Sequence, residues 1–398
     1  MKPRIFINMH YMEIGGAERA LLGLLNAIDT DKVDVDLFIN QHTGEFMKLI
    51  PQKINLLPEI SAYSVIEKPI STAIKKGHIG IAFARLKARF KYTKYLKRLD
   101  KDKVIIEGSA SHFLADEVIK HLPSLYYLGE YDLAISFLDP PHIIQDKVLA
   151  KKKMEWIHTD FSYVLINYDI EYSRWKNNNY IASISQDITR QFLKTFPTLK
   201  NKIIEIENIL SPAFIYQQAE LFIPKEMQGD FIKLCSIGRF CYAKNFENIP
   251  YIANTLKKKG LKFKWYIIGF GDTKKTYQNI KATNTENDVI LLGKKENPYP
   301  YIANCDIYVQ PSRYEGKSIT VREAQILKKP VIITNYPTAS SQIRHGIDGL
   351  ICELDNKIIS ETIFNFVIND KLQRKIVNYL STHDYGNESE VNKIYNLI

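Results

Sequence analysis

The sequence predicts an α/β protein made of two Rossmann-like, doubly wound domains, and three observations support this fold class. The chain has 398 residues, which is long for a single hydrophobic core. Short apolar runs typical of buried strands alternate with segments of helical pattern, as in mostly parallel sheets covered by helices. The alternation stops at 208–230, which contains Pro212 and Pro224, and then starts again. We therefore expect a linker at 208–230 between two domains of the same class.

The first half opens with a strand, a glycine turn and a helix. The apolar run at Arg4–Met9 is strand-like, Gly15 and Gly16 form the turn, and the helical pattern covers 17–28. Ligands of such sheets bind beyond the carboxyl ends of the strands, so this turn is a candidate site. Its glycines do not form a G-x-G-x-x-G fingerprint, which argues against a dinucleotide cofactor. Further strands are predicted at 33–39, 133–137, 153–157, 180–184 and 203–206, with a helix over 187–195 and two helices within 40–110.

The second half repeats the same alternation. A helix is predicted over 245–259, and strands are predicted at 233–237, 263–268, 289–292, 307–310 and 331–334. We expect a first domain at 1–207 and a second domain at 231–384, on either side of the linker. The remaining residues, 385–398, are predicted to form a C-terminal helix that packs back on the first domain.

The composition is that of an ordinary globular protein, with 45% hydrophobic and 25% charged residues. No stretch of the sequence approaches the roughly 18 apolar residues that a membrane span needs. The apolar run near the N-terminus is too short for a signal peptide and indicates a first strand instead. Four cysteines lack the spacing of a zinc site, and we expect them to be buried free thiols in a reducing cytoplasm: Cys235, Cys241, Cys305 and Cys352.

The net charge of +10 is concentrated in one segment, residues 75–103. This segment has eleven Lys and Arg residues against Asp100 and Asp102, and eleven minus two leaves +9. Its apolar and basic residues recur at helical spacing on different sides, which predicts a basic amphipathic helix. The apolar set is Ile79, Phe83, Leu86 and Phe90, and the basic set expected to dock on a membrane or acceptor is Arg85, Lys87, Lys91, Lys94 and Arg98.

Three interpretations of this basic helix stay open. In the first, its apolar stripe packs on its own domain and the basic residues are simply solvated. In the second, it docks on an anionic membrane surface or on the diphosphate of a lipid-linked acceptor. The third, binding to nucleic acid, is the least favoured, and we expect no nucleic-acid partner.

Two glutamates, Glu315 and Glu323, lie in a segment that reads as strand, turn and helix, with seven residues between them. A turn that leads into a helix presents free backbone N–H groups and the positive end of the helix dipole. This arrangement binds phosphate without a metal. The first glutamate lies in the turn and the second about two turns into the helix, so the two can accept from sugar hydroxyls on opposite sides of a bound diphosphate.

The segment resembles the E-x7-E signature of retaining glycosyltransferases of family 4, which have the GT-B fold. Four other stretches resemble motifs of this family in the same order: a glycine turn at 14–21, the G-R-x4-K phosphate clamp at 237–244, a strand and glycine turn at 265–271, and a late turn at 345–350. The likeness is closest over 230–352. It implies two Rossmann-like domains that face each other across a cleft, the first binding the acceptor and the second binding the nucleotide sugar.

The resemblance also implies roles for individual residues. Arg239 and Lys244 would hold the donor diphosphate, since an arginine forks onto two phosphate oxygens and a lysine offers a point charge. Glu315 would contact the donor sugar, and Glu323 the ribose hydroxyls. His158, with Asp160 nearby to orient it, would contact a sugar hydroxyl from the first domain. The complete predicted donor-binding set is Gly15, Gly16, Gly238, Gly269, Gly271, Gly293, Gly316, Lys317, Ser318, Ile319 and Glu323.

Two features bear on the donor and on metals. Lys317 and Ser318 stand where the common family turn, E-G-F-G-L, has Phe and Gly, which leaves the identity of the donor sugar open. The Asp34-Val-Asp36 triplet spells the D-x-D metal motif of another glycosyltransferase fold, but it opens a strand away from the clamp and we take it as incidental. With Arg239 and Lys244 as the cations at the diphosphate, we expect no metal and no cofactor.

The expected function is therefore a retaining glycosyltransferase that uses a nucleoside-diphosphate hexose, with a UDP-sugar favoured. The expected acceptor is a glycan or a polyprenyl-diphosphate-linked oligosaccharide of bacterial capsule, lipopolysaccharide or exopolysaccharide synthesis. No carboxylate of the first domain matches a family nucleophile, so the resemblance implies attack on the same face as departure. The expected location is cytoplasmic, at the inner face of the cytoplasmic membrane. Two alternatives are another GT-B enzyme, such as a nucleotide-sugar epimerase or a phosphorylase, and a non-catalytic basic protein that binds membranes or nucleic acid.

Overall fold

The computed structural model describes residues 2–98, 108–138, 140–158, 161 and 164–398. The chain divides into two compact units, and each contains its own parallel sheet. Unit 1 is Met1–Ile209 with Glu388–Ile398, and unit 2 is Leu210–Asn387. The end of the predicted basic segment, 99–103, and Asp160 lie outside the described residues.

Unit 1 is built on a seven-stranded sheet in the order β3-β2-β1-β4-β5-β6-β7, with every ladder parallel. The order of the strands reverses between β1 and β4, and such a switch point opens a crevice at the carboxyl ends of the strands. The strands are β1 (Arg4–Met9), β2 (Asp34–Ile39), β3 (Asn55–Leu56), β4 (Tyr131–Ser136), β5 (Ala150–Ile157), β6 (Tyr180–Ser183) and β7 (Ile203–Glu205).

The central strands of unit 1 are buried along most of their length, as expected for a parallel sheet flanked by helices. The helices of unit 1 are α1 (Gly16–Ala27), α2 (Ser61–Ser64), α3 (Ile70–Lys75), α4 (Ile79–Leu96), α5 (Ala110–Val118), α6 (His142–Asp146), α7 (Tyr168–Trp175) and α8 (Gln186–Thr195). The predicted strands of this half and the helices predicted over 17–28 and 187–195 are confirmed to within three residues at each end, whereas the described part of 40–110 contains three α-helices, α2, α3 and α4, instead of the expected two. The prediction missed β3, whose two residues are too few to show an alternating pattern.

Unit 2 is built on a six-stranded parallel sheet in the order β10-β9-β8-β11-β12-β13. Its strands are β8 (Ile232–Ile237), β9 (Phe263–Ile268), β10 (Val289–Gly293), β11 (Ile307–Gln310), β12 (Val331–Thr334) and β13 (Leu350–Cys352). Its helices are α9 (Pro212–Ala219), α10 (Ile249–Lys258), α11 (Lys274–Thr283), α12 (Tyr299–Asn304), α13 (Ile319–Ile326), α14 (Ala339–Gln342), α15 (Asn356–Val367) and α16 (Asp370–Thr382). The five predicted strands are confirmed, and β13 was missed.

The segment predicted as a linker is mostly a folded part of unit 2. Helix α9 begins at Pro212, where proline is tolerated because the first helical N–H has no partner inside the helix. The Ser211 side chain accepts a hydrogen bond from the N–H of Phe214 and caps this helix. The two prolines therefore mark a helix start and a turn, and the change from unit 1 to unit 2 falls at Ile209–Leu210.

The C-terminal residues from Glu388 onward belong to unit 1. Their α-helix is shorter than predicted and comprises only α17 (Val391–Tyr395). The Tyr395 hydroxyl accepts a hydrogen bond of 2.7 Å from the backbone N–H of Asp29, which follows α1. The Lys393 ammonium donates to the carbonyl of Glu205 in β7. These contacts attach α17 to unit 1.

The prediction of four buried thiols is wrong at one position. Cys235, Cys305 and Cys352 are buried and free, whereas Cys241 is free and exposed because it lies in the loop that follows β8. Among the described residues, no helix combines the length and the apolar character that crossing a membrane requires.

Candidate donor site and basic helix

The first loop of unit 2 is shaped by close approach of two backbones at the carboxyl ends of β8 and β9. A side chain at Gly269 would place its Cβ 1.8 Å from the carbonyl oxygen of Gly238. Gly271 has φ +123, and its Cβ would lie 2.6 Å from the carbonyl oxygen of Phe240. Only glycine fits both positions, because any Cβ would meet backbone atoms that have no room to move. The two turns therefore form one tight layer above the sheet.

Lys244 reaches inward from the loop that follows β8. A short 3-10 turn, Tyr242–Lys244, is followed by Asn245 in the left-handed conformation, which turns the chain into α10. The Lys244 ammonium lies 2.6 Å from Oε1 of Glu315, and the two side chains are only 19% and 11% exposed. A Cβ on Gly238 would lie 3.0 Å from Cε of this lysine. The lack of a side chain at Gly238 therefore leaves space for the side chain of Lys244.

Glu315 is held by a set of donors that comes from the end of β11. Its Oε1 accepts from Ser312 Oγ at 2.6 Å and from Gln310 Nε2 at 3.1 Å, in addition to Lys244. Its backbone carbonyl accepts from Thr338 Oγ1 at 3.0 Å. Because all three side-chain donors use Oε1, the other carboxylate oxygen has no hydrogen-bond partner among the described residues. Sequence patterns had not singled out Gln310, Ser312 or Thr338.

Arg239, unlike Lys244 and Glu315, lies in a solvent-exposed environment. Its side chain is exposed, and no described residue forms an ion pair or a hydrogen bond with it. The guanidinium lies over the ring of Phe270, 5.7 Å from the centroid, and the ammonium of Lys294 lies over the same ring at 5.7 Å. The charged groups of Arg239 and Lys294 therefore both contact the ring of Phe270, which lies between Gly269 and Gly271.

Arg313 was also missed, and it positions the loop that carries Lys244. Its guanidinium forms an ion pair of 2.8 Å with Glu247 and lies 4.1 Å from the ring centroid of Tyr242. Its backbone N–H donates to the carbonyl of Ala243 at 2.7 Å. An arginine three residues after a strand is common on protein surfaces, so no sequence pattern distinguished it.

The turn before α13 differs in one respect from the prediction. The backbone N–H of Ser318 donates to Gln342 Oε1 at 3.0 Å, and Gln342 Nε2 donates back to the Ser318 carbonyl at 3.0 Å. The N–H of Ser318 is therefore not a free donor for a ligand. The donors that the helix start offers are the N–H groups of its first turn, which begins at Ile319. Gly316 and Lys317 lie partly exposed just before it.

Glu323 lies deeper in unit 2 than expected. Its side chain is fully buried inside α13, and the Tyr299 hydroxyl donates to its Oε1 at 3.0 Å. The predicted contact with ribose hydroxyls therefore stays a prediction, since this carboxylate is enclosed by protein. Gly293, at the end of β10, has φ +70, and the space where a Cβ would lie is open.

In unit 1, the predicted glycine turn precedes α1 at the carboxyl end of β1. A Cβ on Gly15 would lie 2.0 Å from Oε2 of Glu18, whose buried side chain folds back over the helix start. Gly16 has open space around it and begins the helix. A side chain at position 15 would displace the Glu18 carboxylate, and glycine at position 16 leaves the helix start uncovered.

His158 follows β5, and one face of its ring packs on aromatic side chains. Its ring centroid lies 4.9 Å from that of Phe137 and 6.1 Å from that of Trp156. Burial lowers the pKa of His158 to about 4, against the raising effect of a hydrogen bond with the Phe137 backbone. The imidazole is therefore neutral at pH 7. Its Nε2 is shielded from solvent and has no hydrogen-bond partner among the described residues.

The basic helix exists as α4, but its apolar stripe does not pack on its own domain. Phe83 is 68% exposed and Phe90 is 71% exposed, and Ile79 and Leu86 are exposed as well. The face that packs inward consists mainly of small side chains, namely Ile81, Ala82, Ala84 and Ala88. These alanines let the helix approach its neighbours closely while the large apolar residues point outward. The self-packing interpretation is therefore wrong.

Three of the five predicted docking cations are used inside unit 1. Lys87 and Lys91 both pair with the buried carboxylate of Glu117 on α5. Arg85 donates to the backbone carbonyls of Val65 and Lys68. Their role is to attach α4 to the unit, because a buried carboxylate without partners would be costly.

The other two docking cations remain available. Lys94 and Arg98 have no ion-pair partner among the described residues. They lie in and just after the last turn of α4, where both line a surface pocket together with Phe113 and Glu117 of α5.

The D-x-D triplet is structural. Asp36 Oδ2 accepts from Arg4 at 3.0 Å and from the Tyr131 hydroxyl at 2.6 Å, and Oδ1 accepts from Asn55 at 2.6 Å. In the part of the chain that the structure describes, no group of three or more His, Cys, Asp or Glu side chains is arranged to bind a metal ion.

The model of the family described as Glycosyl transferases group 1 matches residues 217–382, within unit 2. A Haemophilus influenzae protein named as an uncharacterized glycosyltransferase is 23% identical over 401 residues, which cover 98% of this chain and 97% of that protein. The N-acetylgalactosamine-N,N'-diacetylbacillosaminyl-diphospho-undecaprenol 4-alpha-N-acetylgalactosaminyltransferase of Campylobacter jejuni is 29% identical over 153 residues, or 37% of this chain and 41% of that protein.

Among solved structures, a variant of S. aureus TarM in complex with fondaparinux, alpha-GlcNAc-glycerol and UDP superposes with a TM-score of 0.66. It is 16% identical to this chain, and the match covers 100% of this chain and 99% of that one. At this identity the likeness concerns the fold, and it confirms the GT-B expectation of two Rossmann-like units.

Proposed function

We propose that this chain is a glycosyltransferase that transfers a hexose-type sugar from a nucleoside-diphosphate sugar with retention of configuration, and the match of residues 217–382 to the group 1 domain supports the proposal. The observation that carries the proposal is the arrangement beyond β8 and β11 in unit 2. There a fixed Lys244–Glu315 pair and an unpaired Arg239 lie on loops packed tightly over the sheet. Cations and a carboxylate so arranged suit a diphosphate joined to a polyhydroxylated sugar.

The cations act on the leaving group. When the bond between the anomeric carbon and the diphosphate breaks, negative charge grows on the departing phosphate oxygens. Positive groups already in place stabilise that charge more in the transition state than in the ground state. Arg239 supplies a guanidinium with no competing partner, and Lys244 supplies an ammonium whose position is set in advance by Glu315.

Glu315 has a second role in this proposal. Its Oε1 accepts all three protein donors, so its other oxygen is available to accept from a hydroxyl of the donor sugar. The first-turn N–H groups of α13 would contact the diphosphate from the same side. In unit 1, His158 is neutral and its Nε2 lacks a hydrogen-bond partner among the described residues, and its contact with a sugar hydroxyl stays a prediction because this nitrogen is shielded from solvent.

The proposed chemistry is same-face substitution without a metal. Arg239 and Lys244 supply the positive charge that a divalent ion supplies in other transferases. The acceptor hydroxyl attacks the face from which the diphosphate departs, and its proton passes to the departing phosphate oxygen. The protein contributes position and electrostatic stabilisation rather than a covalent step.

The similar proteins favour a particular donor and acceptor class. TarM was crystallised with UDP, which favours a UDP-sugar as the donor here. The C. jejuni transferase is named for an acceptor attached to diphospho-undecaprenol, which favours a lipid-linked oligosaccharide of bacterial surface polysaccharide synthesis as the acceptor. Such an acceptor lies at the inner face of the cytoplasmic membrane, and we place the enzyme there.

Helix α4 supplies the contact with that membrane. Its exposed Phe83 and Phe90 would enter the interface between headgroups and acyl chains, while Lys94 and Arg98 would meet anionic headgroups. We expect the protein to sediment at low salt with vesicles of phosphatidylcholine and phosphatidylglycerol, and the variant with both Phe83→Ser and Phe90→Ser to stay in solution. The exposed pair Leu221 and Ile223 in unit 2, changed to serine, provides the matched control. Equal sedimentation of all three proteins would remove the membrane part of the proposal.

The donor proposal is tested by calorimetry of UDP, GDP and ADP binding in EDTA. We expect micromolar binding of one of them, with UDP favoured, and a loss of about 10–100-fold in Arg239→Ala, since charge-assisted hydrogen bonds contribute about 1.5–3 kcal/mol each. Arg374→Ala changes the same residue type at an exposed position on α16 and should bind as the wild type does. If none of the three nucleotides binds, the donor site as described is wrong.

A further inference from the structure

A row of buried polar side chains lies in unit 2 directly behind Glu315. Tyr308 and Gln310 belong to β11, and Ser312 follows the end of that strand. Alternate residues of a strand point to the same face of the sheet, so the side chains of Tyr308 and Gln310 are neighbours. All three residues are fully buried. Strands of a parallel sheet are normally apolar, so a row of polar side chains at this place is unusual.

Glu315 fixes the orientation of the Gln310 amide. The Nε2 of Gln310 donates to Ser312 Oγ at 2.8 Å and to Glu315 Oε1 at 3.1 Å. Ser312 Oγ donates to the same carboxylate oxygen at 2.6 Å. In the reverse orientation the amide oxygen would lie 3.1 Å from that carboxylate oxygen, and two acceptors so close together repel each other. The amide oxygen of Gln310 therefore points away from Glu315 and toward Tyr308.

Tyr308 supplies the donor that this amide oxygen requires. Its hydroxyl lies 2.8 Å from Gln310 Oε1, 2.7 Å from Thr320 Oγ1 and a longer 3.4 Å from the carbonyl oxygen of Ile237. A phenol has a single proton to donate. The Oε1 of Gln310 has no other donor among the described residues, whereas Thr320 has a hydroxyl proton of its own. Tyr308 therefore donates to Gln310 and accepts from Thr320.

The titration of Tyr308 agrees with this direction. Burial raises the pKa of Tyr308 well above its ordinary value, and the hydrogen bond with Thr320 acts in the opposite direction. A hydrogen bond donated to the phenol oxygen has that effect, because it stabilises the phenolate. Tyr308 therefore stays protonated at neutral pH and keeps its proton for Gln310.

The chain of hydrogen bonds begins at the start of α13. Thr320 lies in the first turn of this helix, and its Oγ1 lies 3.1 Å from Ser318 Oγ. Because Thr320 donates its proton to Tyr308, the Ser318 hydroxyl donates to Thr320. The proposed contacts with the diphosphate and with the donor sugar therefore lie at the two ends of one chain of hydrogen bonds.

This chain ends on only one oxygen of Glu315. Oε1 accepts from Gln310, Ser312 and Lys244, and the other oxygen is left for a ligand. Without the proton of Tyr308, the amide of Gln310 could turn over, and its oxygen would then repel Oε1 and rotate the carboxylate. The orientation of Glu315 thus depends on a hydroxyl that it does not contact.

We propose that Tyr308 is a positioning residue for the donor sugar: by fixing the amide of Gln310, it holds Glu315 with Oε1 toward Lys244 and with the other oxygen toward a sugar hydroxyl. The proposal rests on the function proposed above, in which Glu315 accepts from that hydroxyl. It adds that a hydroxyl enclosed in the sheet, outside the motifs described, contributes to binding of the sugar and not of the nucleotide.

The test compares the affinities of UDP and a UDP-sugar by calorimetry. The UDP-sugar is the one that the wild type binds most tightly among UDP-glucose, UDP-galactose, UDP-N-acetylglucosamine and UDP-N-acetylgalactosamine. We expect Tyr308→Phe to bind UDP as the wild type does and the UDP-sugar about tenfold more weakly, since one hydrogen bond to a charged group changes an affinity by about tenfold or more. Tyr266→Phe is the matched control, because it removes an equally buried hydroxyl of the same sheet that donates to the backbone carbonyl of Glu226. It should leave both affinities unchanged.

Gln310→Met tests whether Tyr308 acts through the amide. This substitution keeps most of the side-chain length and removes the amide, so it should weaken binding of the UDP-sugar at least as much as Tyr308→Phe does. The double variant should bind the UDP-sugar no more weakly than Gln310→Met alone, because the tyrosine has then lost the group through which it acts. Additive losses, or equal losses for UDP and the UDP-sugar, would show that the two side chains only stabilise the fold and would overturn the inference.

UDP binding separates a failure of this inference from a failure of the donor site. If Tyr308→Phe and Gln310→Met bind UDP and the UDP-sugar as the wild type does, the positioning role is overturned and the donor site stands. The same holds if the wild type binds UDP but none of the four UDP-sugars. If the wild type binds no UDP, the inference fails together with the UDP-sugar proposal on which it rests. Should Tyr308→Phe fail to bind UDP because it does not fold, Gln310→Met decides by the same comparison.

Discussion

Replacing Lys244 with methionine keeps most of the side-chain length and removes the positive charge beside Glu315. At 2.6 Å and an effective dielectric constant near 20, the attraction between the two charges is about 6 kcal/mol before the cost of desolvation is subtracted. Hydrogen bonds to charged groups contribute about 1.5–3 kcal/mol net, and Ser312 and Gln310 still donate to the carboxylate in the variant. We therefore expect unit 2 to lose about 1.5–3 kcal/mol of unfolding free energy.

The effect on catalysis should be larger than the effect on stability. Loss of one preorganised contact to developing charge raises the barrier by about 3–4 kcal/mol, or roughly 100–1,000-fold in kcat. Release of UDP from a UDP-sugar in the presence of acceptor measures the rate, and urea unfolding measures the stability. Lys244→Met combined with Glu315→Gln removes both charges of the pair, so it should regain much of the stability and none of the activity.

Lys233 provides the matched control for this experiment. It lies near the start of β8, whereas Lys244 lies in the loop after the end of that strand. Its side chain is 22% exposed, and its ammonium lies 3.8 Å from Oδ2 of Asp306. Lys233→Met should lower stability by less than about 1 kcal/mol and leave turnover unchanged. The same kcat and the same affinity for UDP in Lys244→Met and Lys233→Met would show that Lys244 does not act on the donor diphosphate.

Three further perturbations test other parts of the structure. Gly269→Ala places a Cβ 1.8 Å from the Gly238 carbonyl oxygen, so we expect a loss above about 2 kcal/mol in urea unfolding, and an unchanged midpoint would show that the turns are not so close. Arg313→Ala removes the 2.8 Å ion pair with Glu247 and frees the clamp loop, so the calorimetric Kd for UDP should rise about tenfold. The pKa of His158 is about 4 in the folded chain and 6.5 ordinarily, so the unfolded chain binds a proton first as the pH falls. Between pH 6.5 and 5, this histidine should therefore lower the free energy of unfolding by about 2 kcal/mol. The urea midpoint of His158→Gln should depend correspondingly less on pH.

The strands were predictable because each is a local signal. A strand covered by helices on both faces is apolar along most of its length, so runs such as Phe263–Ile268 and Ile307–Gln310 can be recognised without knowledge of their neighbours. The glycines at 269 and 271 could be located for a similar reason, since they follow a strand directly. The sequence alone did not show that their Cβ positions are filled by backbone of the preceding loop.

The spacing of residues in α4 predicted an apolar side but did not decide what that side faces. An apolar side usually faces the core, and this was one of the interpretations left open. In the structure the alanines face inward and the phenylalanines face solvent. The shape and charge of the neighbouring elements decide which side of a helix is buried. For α4, the buried carboxylate of Glu117 forms ion pairs with Lys87 and Lys91.

The class of the two sheets and the order of the glycine turns could be predicted from the sequence, because they depend on runs of neighbouring residues and on motif spacing. The clamp residues that the motif spacing indicates stay a prediction. Which polar groups meet depends on the tertiary structure. Lys244 and Glu315 are 71 residues apart, His142 and Asp116 are 26 apart, and Ser318 meets Gln342 from another helix. Such pairings follow from the packing of whole elements, and the free energy of a buried polar group depends on that packing rather than on its neighbours along the chain.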